Sequence, residues 1–469
     1  MRMSSAVQRA TAGSATAGSA TAGSATAPRP PSRPGARAGR GRGALLVLAC
    51  SLLLGPLGAL PAAPAGAAPA PAPAAAGVRS AADGPAAGRR DTAAGPAAPG
   101  TRAVPGDVGR NPMAEIPAGV TAGIAVYDRE TGRFTEQVDV DRPFRSASVV
   151  KLLIALDVLW DRGPGSGIPE QERPRLEAML RSSDDAQASH YWAQRGGAAL
   201  VGRMVPRLGL TGTLPPPAGY PAYWGYTAIT AADTVRVYRH VLDVAPAVVR
   251  EFVMDNLHRS TRCANDGFDQ YFGIPSAFEG PWAVKQGWSG FSSGGCTADG
   301  GTPVPATRPQ EPATVHADGD GGARGARALD LVSEALHTTG TVGPGDRTIV
   351  AVLTLHPDKT SYGAASSGVT RLTDSLDVPG ARRPAGSRFG TWGSGVRVRE
   401  ATTTASAAIT TLPAGIEVLV GCQKRGQTVS VPPYVNDWWA YLPQYDGYVT
   451  NIYLDSPDNK LPGVRDCAE

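Results

Sequence analysis

No phenylalanine, tyrosine or tryptophan occurs before Tyr127, although the 469-residue chain holds 29 aromatic residues. A stretch without aromatics, and poor in β-branched apolar residues, cannot bury enough surface to offset its backbone entropy. Residues 1–110 also lack lysine; they hold 12 Arg against 3 Asp, a net charge of +9. The rest carries 33 basic and 38 acidic residues, so the overall charge of +4 belongs to the N-terminal tail. The part able to fold has no basic stripe, which sets nucleic-acid binding aside. No C-x-x-C and no histidine pair at ligand spacing is present, so neither a metal centre nor a cofactor is expected. With 58 Gly and 42 Pro, and beyond the tail enough chain for one large and one small domain, a single domain is excluded.

The tail has an order of its own. Residues 11–27 repeat Thr-Ala-Gly-Ser-Ala, and Arg29, Arg33, Arg37, Arg40 and Arg42 follow. An apolar run from Ala44 to Leu60 comes next, then small residues from Ala62 to Ala70 with Ala65-Gly66-Ala67 as an A-x-A cleavage site. Positive, apolar, small is the order of a secretory signal peptide. Residues 1–68 are therefore expected to be tail and signal, and 69–111 an extended Pro/Ala/Gly linker. Two alternatives stand beside export. The run could remain as an anchor, although Gly55, Pro56 and Gly58 weaken a spanning helix. Cys50 could carry a lipid, although only six apolar residues precede it. Membrane contact follows only if the signal segment stays uncleaved.

Cleavage would remove Cys50 and leave Cys263, Cys296, Cys422 and Cys467. An even set in an exported chain reads as two disulfides. Three pairings are open, and position along the chain favours Cys263 with Cys296 and Cys422 with Cys467.

Strand patterns at Val120–Asp128 and Phe134–Val140 flank a turn at Glu130–Arg133. Residues 148–160 are too apolar for a surface helix and predict a core helix. Helical patterns follow at 171–193, 197–207 and 230–254, then a strand at Trp282–Gly287 and a long Gly/Pro/Thr-rich loop over 289–323. A last hairpin, Leu336–Val342 and Thr348–Leu355, precedes a short helix near 366–376. Two strands, a block of helices and three strands predict a layered α/β (α+β) fold with an antiparallel sheet over 112–378. Residues 379–389 read as a linker. Short β segments over 390–469 predict a small all-β barrel.

The chemistry lies in three places. Ser148-Val149-Val150-Lys151 is an S-x-x-K, which puts an amine beside a hydroxyl on one helix face. A serine alcohol needs a neighbouring base to take its proton, and an amine serves only when neutral, a form that apolar surroundings favour. Ser182-Ser183-Asp184-Asp185 follows near a helix start, and Val284-Lys285-Gln286-Gly287-Trp288 in a strand before a turn. Tyr220, Tyr223, Trp224 and Tyr226 are expected to pack under a Pro-rich loop, and His190, His240 and His356 receive no role.

Together the three motifs resemble the S-x-x-K, S-D-N and K-T-G set of serine β-lactamases and penicillin-binding proteins. The resemblance covers roughly residues 112–378 and implies the sandwich fold of serine β-lactamases and transpeptidases. It implies Ser148 as acylated nucleophile, Lys151 as its base and Ser183 as proton relay to the leaving nitrogen. Lys285 would face them across the cleft, steering a substrate carboxylate and favouring the neutral form of Lys151. The backbone N–H groups of Ser148 and Trp288 would form the oxyanion hole, each worth roughly 3–4 kcal/mol. Asp185, Gln286, Gly287 and Ser289 would line the substrate site.

Three departures matter. Asp185 replaces an Asn, and a carboxylate near Lys151 favours the ammonium and makes a poorer base. Gln286 replaces a hydroxyl residue, though its amide could still donate to a carboxylate. No Glu or Asp lies between Arg207 and Asp233, where class A β-lactamases carry the glutamate that activates deacylating water. A long-lived acyl-enzyme with weak or no β-lactam turnover is therefore expected, on a peptidoglycan-type peptide or a small amide or ester. The C-terminal segment resembles bacterial SH3-like domains in Val396-Arg397-Val398-Arg399, Leu412-Pro413-Ala414-Gly415, Trp438 and Tyr448-Val449. That resemblance implies cell-wall binding. It also keeps a rival open, a catalytically impaired fold serving as a wall-binding module.

Overall fold

The computed structural model describes residues 115–163, 165–296 and 328–468. The expected signal segment, Cys50, the 69–111 linker and most of the 289–323 loop lie outside the described residues. Strands β1 (Thr121–Asp128), β2 (Arg133–Val138) and β3 (Phe144–Arg145) come first. A 3₁₀ turn, Ala147–Val150, then leads into α1 (Lys151–Leu159). Helices α2 (Arg173–Arg181), α3 (Asp185–Gln194) and α4 (Ala199–Leu208) follow, then β4 (Ala228–Ile229), α5 (Ala231–Arg239) and α6 (Ala247–His258). After α7 (Ile274–Ala277) come β5 (Trp282–Val284), β6 (Gly287–Ser289), β7 (Glu334–Val342), β8 (Thr348–His356) and α8 (Tyr362–Ser375).

The main sheet runs β2-β1-β8-β7-β5 with β6 also on β7, all antiparallel. Both of its faces are covered. Ala125, Tyr127, Ala351 and Leu353 pack against α1 to α6, while Ile124, Val126, Val350 and Val352 pack with Leu372 of α8 and with Leu376 just after it. Successive side chains of a strand point to opposite faces, so β1 and β8 read as apolar throughout rather than alternating. Helix α1 sits in the middle, with every residue but Val158 buried.

The strand expected over Trp282–Gly287 is broken in two at Lys285 and Gln286. Val284 lies opposite Gly340, and pairing resumes with Gly287 opposite His337. A Cβ on Gly340 would stand 2.0 Å from the Ala283 carbonyl oxygen, so only glycine permits β5 to approach there. The expected helix 171–193 is likewise two helices, parted by Ser183, whose φ of +54° a non-glycine residue rarely adopts.

The C-terminal region contains β9 (Ser387–Gly390), β10 (Val396–Arg399), β11 (Ala408–Leu412), β12 (Glu417–Val420), β13 (Cys422–Val431), β14 (Tyr434–Leu442) and β15 (Gly447–Thr450). One sheet runs β11-β10-β15-β14-β13 and a second pairs β12 with β9. Val396, Val398, Leu412, Val418, Val420, Ala440, Leu442 and Val449 share one apolar core. Strand β9 occupies the end of the expected 379–389 linker, because its partner β12 lies some thirty residues downstream and local composition gives no sign of it. This region packs on the α/β layers. The Arg262 guanidinium stacks 3.5 Å above the Tyr445 ring and donates to the Gln444 carbonyl at 2.6 Å. Cys263 is bonded to Cys296 and Cys422 to Cys467, with Cα separations of 5.6 and 4.9 Å.

Candidate active site

Ser148 lies in the 3₁₀ turn and Lys151 opens α1. The spacing of three puts the Lys151 Nζ 2.9 Å from the Ser148 Oγ. The turn between α2 and α3 delivers the rest. Asp184 caps α3 by accepting from the Gln187 N–H, which leaves Ser183 and Asp185 on either side of the cap to face α1. Lys151 donates to the Ser183 carbonyl at 2.6 Å, the Ser183 Oγ at 3.0 Å and the Asp185 Oδ1 at 2.5 Å. Across the cleft, the Lys285 Nζ donates to the same Ser183 Oγ at 2.8 Å. Ser148, Lys151, Ser183 and Lys285 are all buried and form one unbroken chain of hydrogen bonds drawn from three separate parts of the fold.

Backbone strain frames this cluster. Ala147 (φ +44°) and Ser183 (φ +54°) both adopt left-handed backbone beside it, a conformation that costs about 1–3 kcal/mol in a non-glycine residue and gathers at functional sites. Gly287 brings β6 against the turn that carries Ser148. A Cβ there would stand 3.0 Å from the Ser146 carbonyl oxygen and 3.1 Å from the Val149 Cγ2. Trp288 and Ser289 follow on β6, next to that turn.

Lysine 285 sits in the break between β5 and β6, held by its N–H to the Thr339 carbonyl and by the Thr339 hydroxyl to its own carbonyl. Burial, and next the charge of Lys151, push its amine well below the ordinary lysine range, against the pull of Asp185 and Asp266. A lysine so placed leans towards the neutral amine.

Two expectations are corrected by geometry. The Gln286 amide does not face the cleft as a donor. Its Nε2 donates to the carbonyls of Gln270 and Phe272 at 2.9 and 2.8 Å, so it ties down the 270–272 segment. The Tyr220–Tyr226 segment is not packing alone. The tyrosines do stack on one another, but the Trp224 ring lies 4.8 Å from the Lys151 amine. Asp185, which could have pointed away from Lys151, is in fact its ion-pair partner.

Asp266 is a member of the site with no signal in the sequence. Its Oδ2 accepts from the Trp288 Nε1 at 2.9 Å, and its Oδ1 is buried without a hydrogen-bond partner among the described residues. Burial raises its carboxyl above the usual range, opposed by the Trp288 bond and Lys151 and reinforced by Asp185. It reaches the site because the Cys263–Cys296 loop folds back over the turn before α3, where the Asn265 N–H donates to the Ser182 carbonyl. No group of histidine, cysteine and acidic side chains that could hold a metal occurs among the described residues. A cavity of about 650 Å³ lined by Asp139, Arg142, Thr211, Leu214 and Leu329 includes none of the site residues.

No family model matches the chain. A protein named "Putative lipoprotein LppW" from Mycobacterium tuberculosis, and its namesake in Mycobacterium bovis, are 37% identical over 175 residues. The match takes in 36% of this chain and 54% of the relative, so the chain spans about half the length of the curated relatives it matches. Among solved structures, a class A β-lactamase from Mycobacterium abscessus has 18% identity and a TM-score of 0.37, covering 55% of this chain and 92% of the other. A β-lactamase from Streptomyces albus G has 18% identity and a TM-score of 0.36, covering 55% and 95%. PBP-A has 14% identity and a TM-score of 0.37, covering 55% and 89%.

Proposed function

We propose that this protein is an exported serine hydrolase of the penicillin-recognising kind, acylated on Ser148, with an SH3-like wall-binding module at its C-terminus. The observation that carries the reading is the chain Ser148 Oγ, Lys151 Nζ, Ser183 Oγ, Lys285 Nζ, with links of 2.9, 3.0 and 2.8 Å. In the proposed reaction the Ser148 oxygen attacks an amide, ester or β-lactam carbonyl while its proton passes to Lys151. Ser183 then carries a proton to the leaving nitrogen or oxygen, which departs as the acyl-enzyme forms. Developing charge on the carbonyl oxygen would be met by the Ser148 and Trp288 backbone N–H groups. Lys285, driven towards the neutral amine, serves better as a proton store behind Ser183 than as a charge that steers a carboxylate. A stem peptide of peptidoglycan is the proposed natural substrate, and β-lactams would be acylating analogues.

Export is supported by the order of the tail segments and by two closed disulfides, which persist in oxidising compartments. No helix among the described residues is long and apolar enough to cross a membrane.

The test is labelling with a fluorescent penicillin, a chromogenic ester and a fluorophosphonate. Label on the wild type and none on Ser148→Ala is expected. Failure of all three probes on the wild type removes the enzymatic reading.

One observation favours a second reading, a wall-binding scaffold with an impaired site. The Asp185 carboxylate engages Lys151 at 2.5 Å, and the exposed rings of Trp392 and Tyr434 stand 6.1 Å apart on the C-terminal module. Under that reading the protein co-sediments with purified peptidoglycan, Trp392→Ala and Tyr434→Ala reduce the bound fraction, and Ser148 takes no label.

A further inference from the structure

The amine of Lys151 is closed to solvent on every side. Its polar neighbours are the Ser148 Oγ, the Ser183 carbonyl and Oγ, and the Asp185 carboxylate. The indole of Trp224 lies 4.8 Å from it. That indole is fixed at both ends. Its Nε1 donates to the Ser189 Oγ at 3.1 Å, one turn beyond Asp185 on α3. Its backbone belongs to the 3₁₀ turn Trp224–Tyr226, where a Cβ on Gly225 would lie 3.6 Å from the Ala147 Cα, next to the nucleophile.

The segment that carries Trp224 offers no acid to activate water. Asp233, the first carboxylate after Arg207, accepts from the N–H groups of Thr211 and Gly212, the Thr213 hydroxyl and the Arg236 guanidinium. Those bonds fold the segment and leave Asp233 nothing for chemistry. Of the two carboxylates near the amines, Asp185 is paired with Lys151 and Asp266 holds Trp288.

We infer that Trp224 is a water-excluding residue, whose indole caps the Lys151 amine and so sets the lifetime of the acyl group on Ser148. The inference rests on the reading of Ser148 as the acylated nucleophile. Hydrolysis of that acyl group adds one water across the ester. The water oxygen bonds to the carbonyl carbon, the bond from that carbon to the Ser148 Oγ breaks, one water proton ends on the Oγ, and the acid leaves with the other. The step needs a water beside an amine that can pass its proton, and the indole occupies the approach to that amine. Trp224 acts on water access and forms no bond to the acyl group, so its loss changes how long the label stays more than how fast it goes on.

The experiment acylates the full protein with a fluorescent penicillin, removes excess reagent, and follows the label by gel fluorescence and intact mass. Trp224→Ala is expected to shorten the half-life of the acyl-enzyme at least about ten-fold, a larger change than any in the labelling rate. Trp224→Phe keeps most of the wild-type half-life, and Ser189→Ala, which frees the indole without removing it, falls between. An unchanged half-life in Trp224→Ala overturns the inference, as does a Phe variant as short-lived as the Ala variant. Should Trp224→Ala fail to fold, Ser189→Ala decides alone, and an unchanged half-life there overturns it too. Absence of Ser148 labelling in the wild type overturns the parent reading itself, an outcome distinct from labelling with equal half-lives.

Discussion

The two ends of α1 each bury a charged group, and they do so for different ends. At the C-terminal end the Asp157 carboxylate accepts from Arg195, Arg203 and Arg207, whose guanidinium groups reach out to solvent. Burial alone would raise that carboxyl, but the Arg203 and Arg195 bonds outweigh it and hold it below the usual range. Donors there are plentiful and every lone pair is met. At the N-terminal end Lys151 faces four acceptors with at most three N–H donors, and a second amine waits 2.8 Å beyond Ser183. A saturated cluster fixes structure. A cluster with fewer protons than places for them can move one.

The sharpest way to break this contrast is to cut each end in turn. Lys151→Ala should lower the acylation rate by about a thousand-fold or more, the scale of a lost catalytic base, while Arg203→Ala leaves the rate per folded molecule unchanged. Equal losses from both would mean that the N-terminal cluster is structural as well. Next in size, Asp157→Ala should cost about 2–3 kcal/mol, because it removes the shared acceptor of three arginines that keep part of their solvation. A urea midpoint that barely moves would show those arginines to be solvated on their own.

Acid offers a test of the same idea on neutral groups. His337 and His356 are both pushed down to about 4, chiefly by burial. The His337 Nε2 faces the Arg145 carbonyl and its Nδ1 accepts from the Thr354 N–H, an arrangement that needs the neutral ring. The unfolded chain binds protons near 6.5 and the fold near 4, so stability is complete above the first value and falls as pH drops between them. The loss is at most about 3 kcal/mol per ring. Urea midpoints at pH 7 and pH 4.5 measure it, and His337→Gln should flatten the slope. Smallest in size is Asp185→Asn, which removes the carboxylate from Lys151 and should speed acylation about ten-fold. A slower variant would make Asp185 a working part of the site rather than a brake on it.

Much of the site was legible because its pieces are local. Ser148 and Lys151 meet through helix geometry alone, and Ser183 and Lys285 belong to short motifs whose order along the chain is informative. Chain composition helps as well, for only five lysines occur and two of them are in this cluster. The remaining members of the site come from distant segments. Asp266 arrives on a disulfide-closed loop and Trp224 on a segment whose aromatics look like packing. Gln286 lies within a recognisable motif, yet its amide turns inward because the 270–272 backbone carries carbonyls that it satisfies. Strand β9 has the composition of a linker and becomes a strand only by pairing with β12, which follows the next hairpin.

The amino-acid order by itself determined the two folding regions, the apolar helix that follows Ser148 and the three motifs, all set by composition and short-range periodicity. Tertiary structure alone decided which carboxylates and which indole surround the two amines. Those neighbours are hundreds of atoms apart along the chain, and only the packing of α3, the 220–226 segment and the disulfide loop onto α1 brings them within reach.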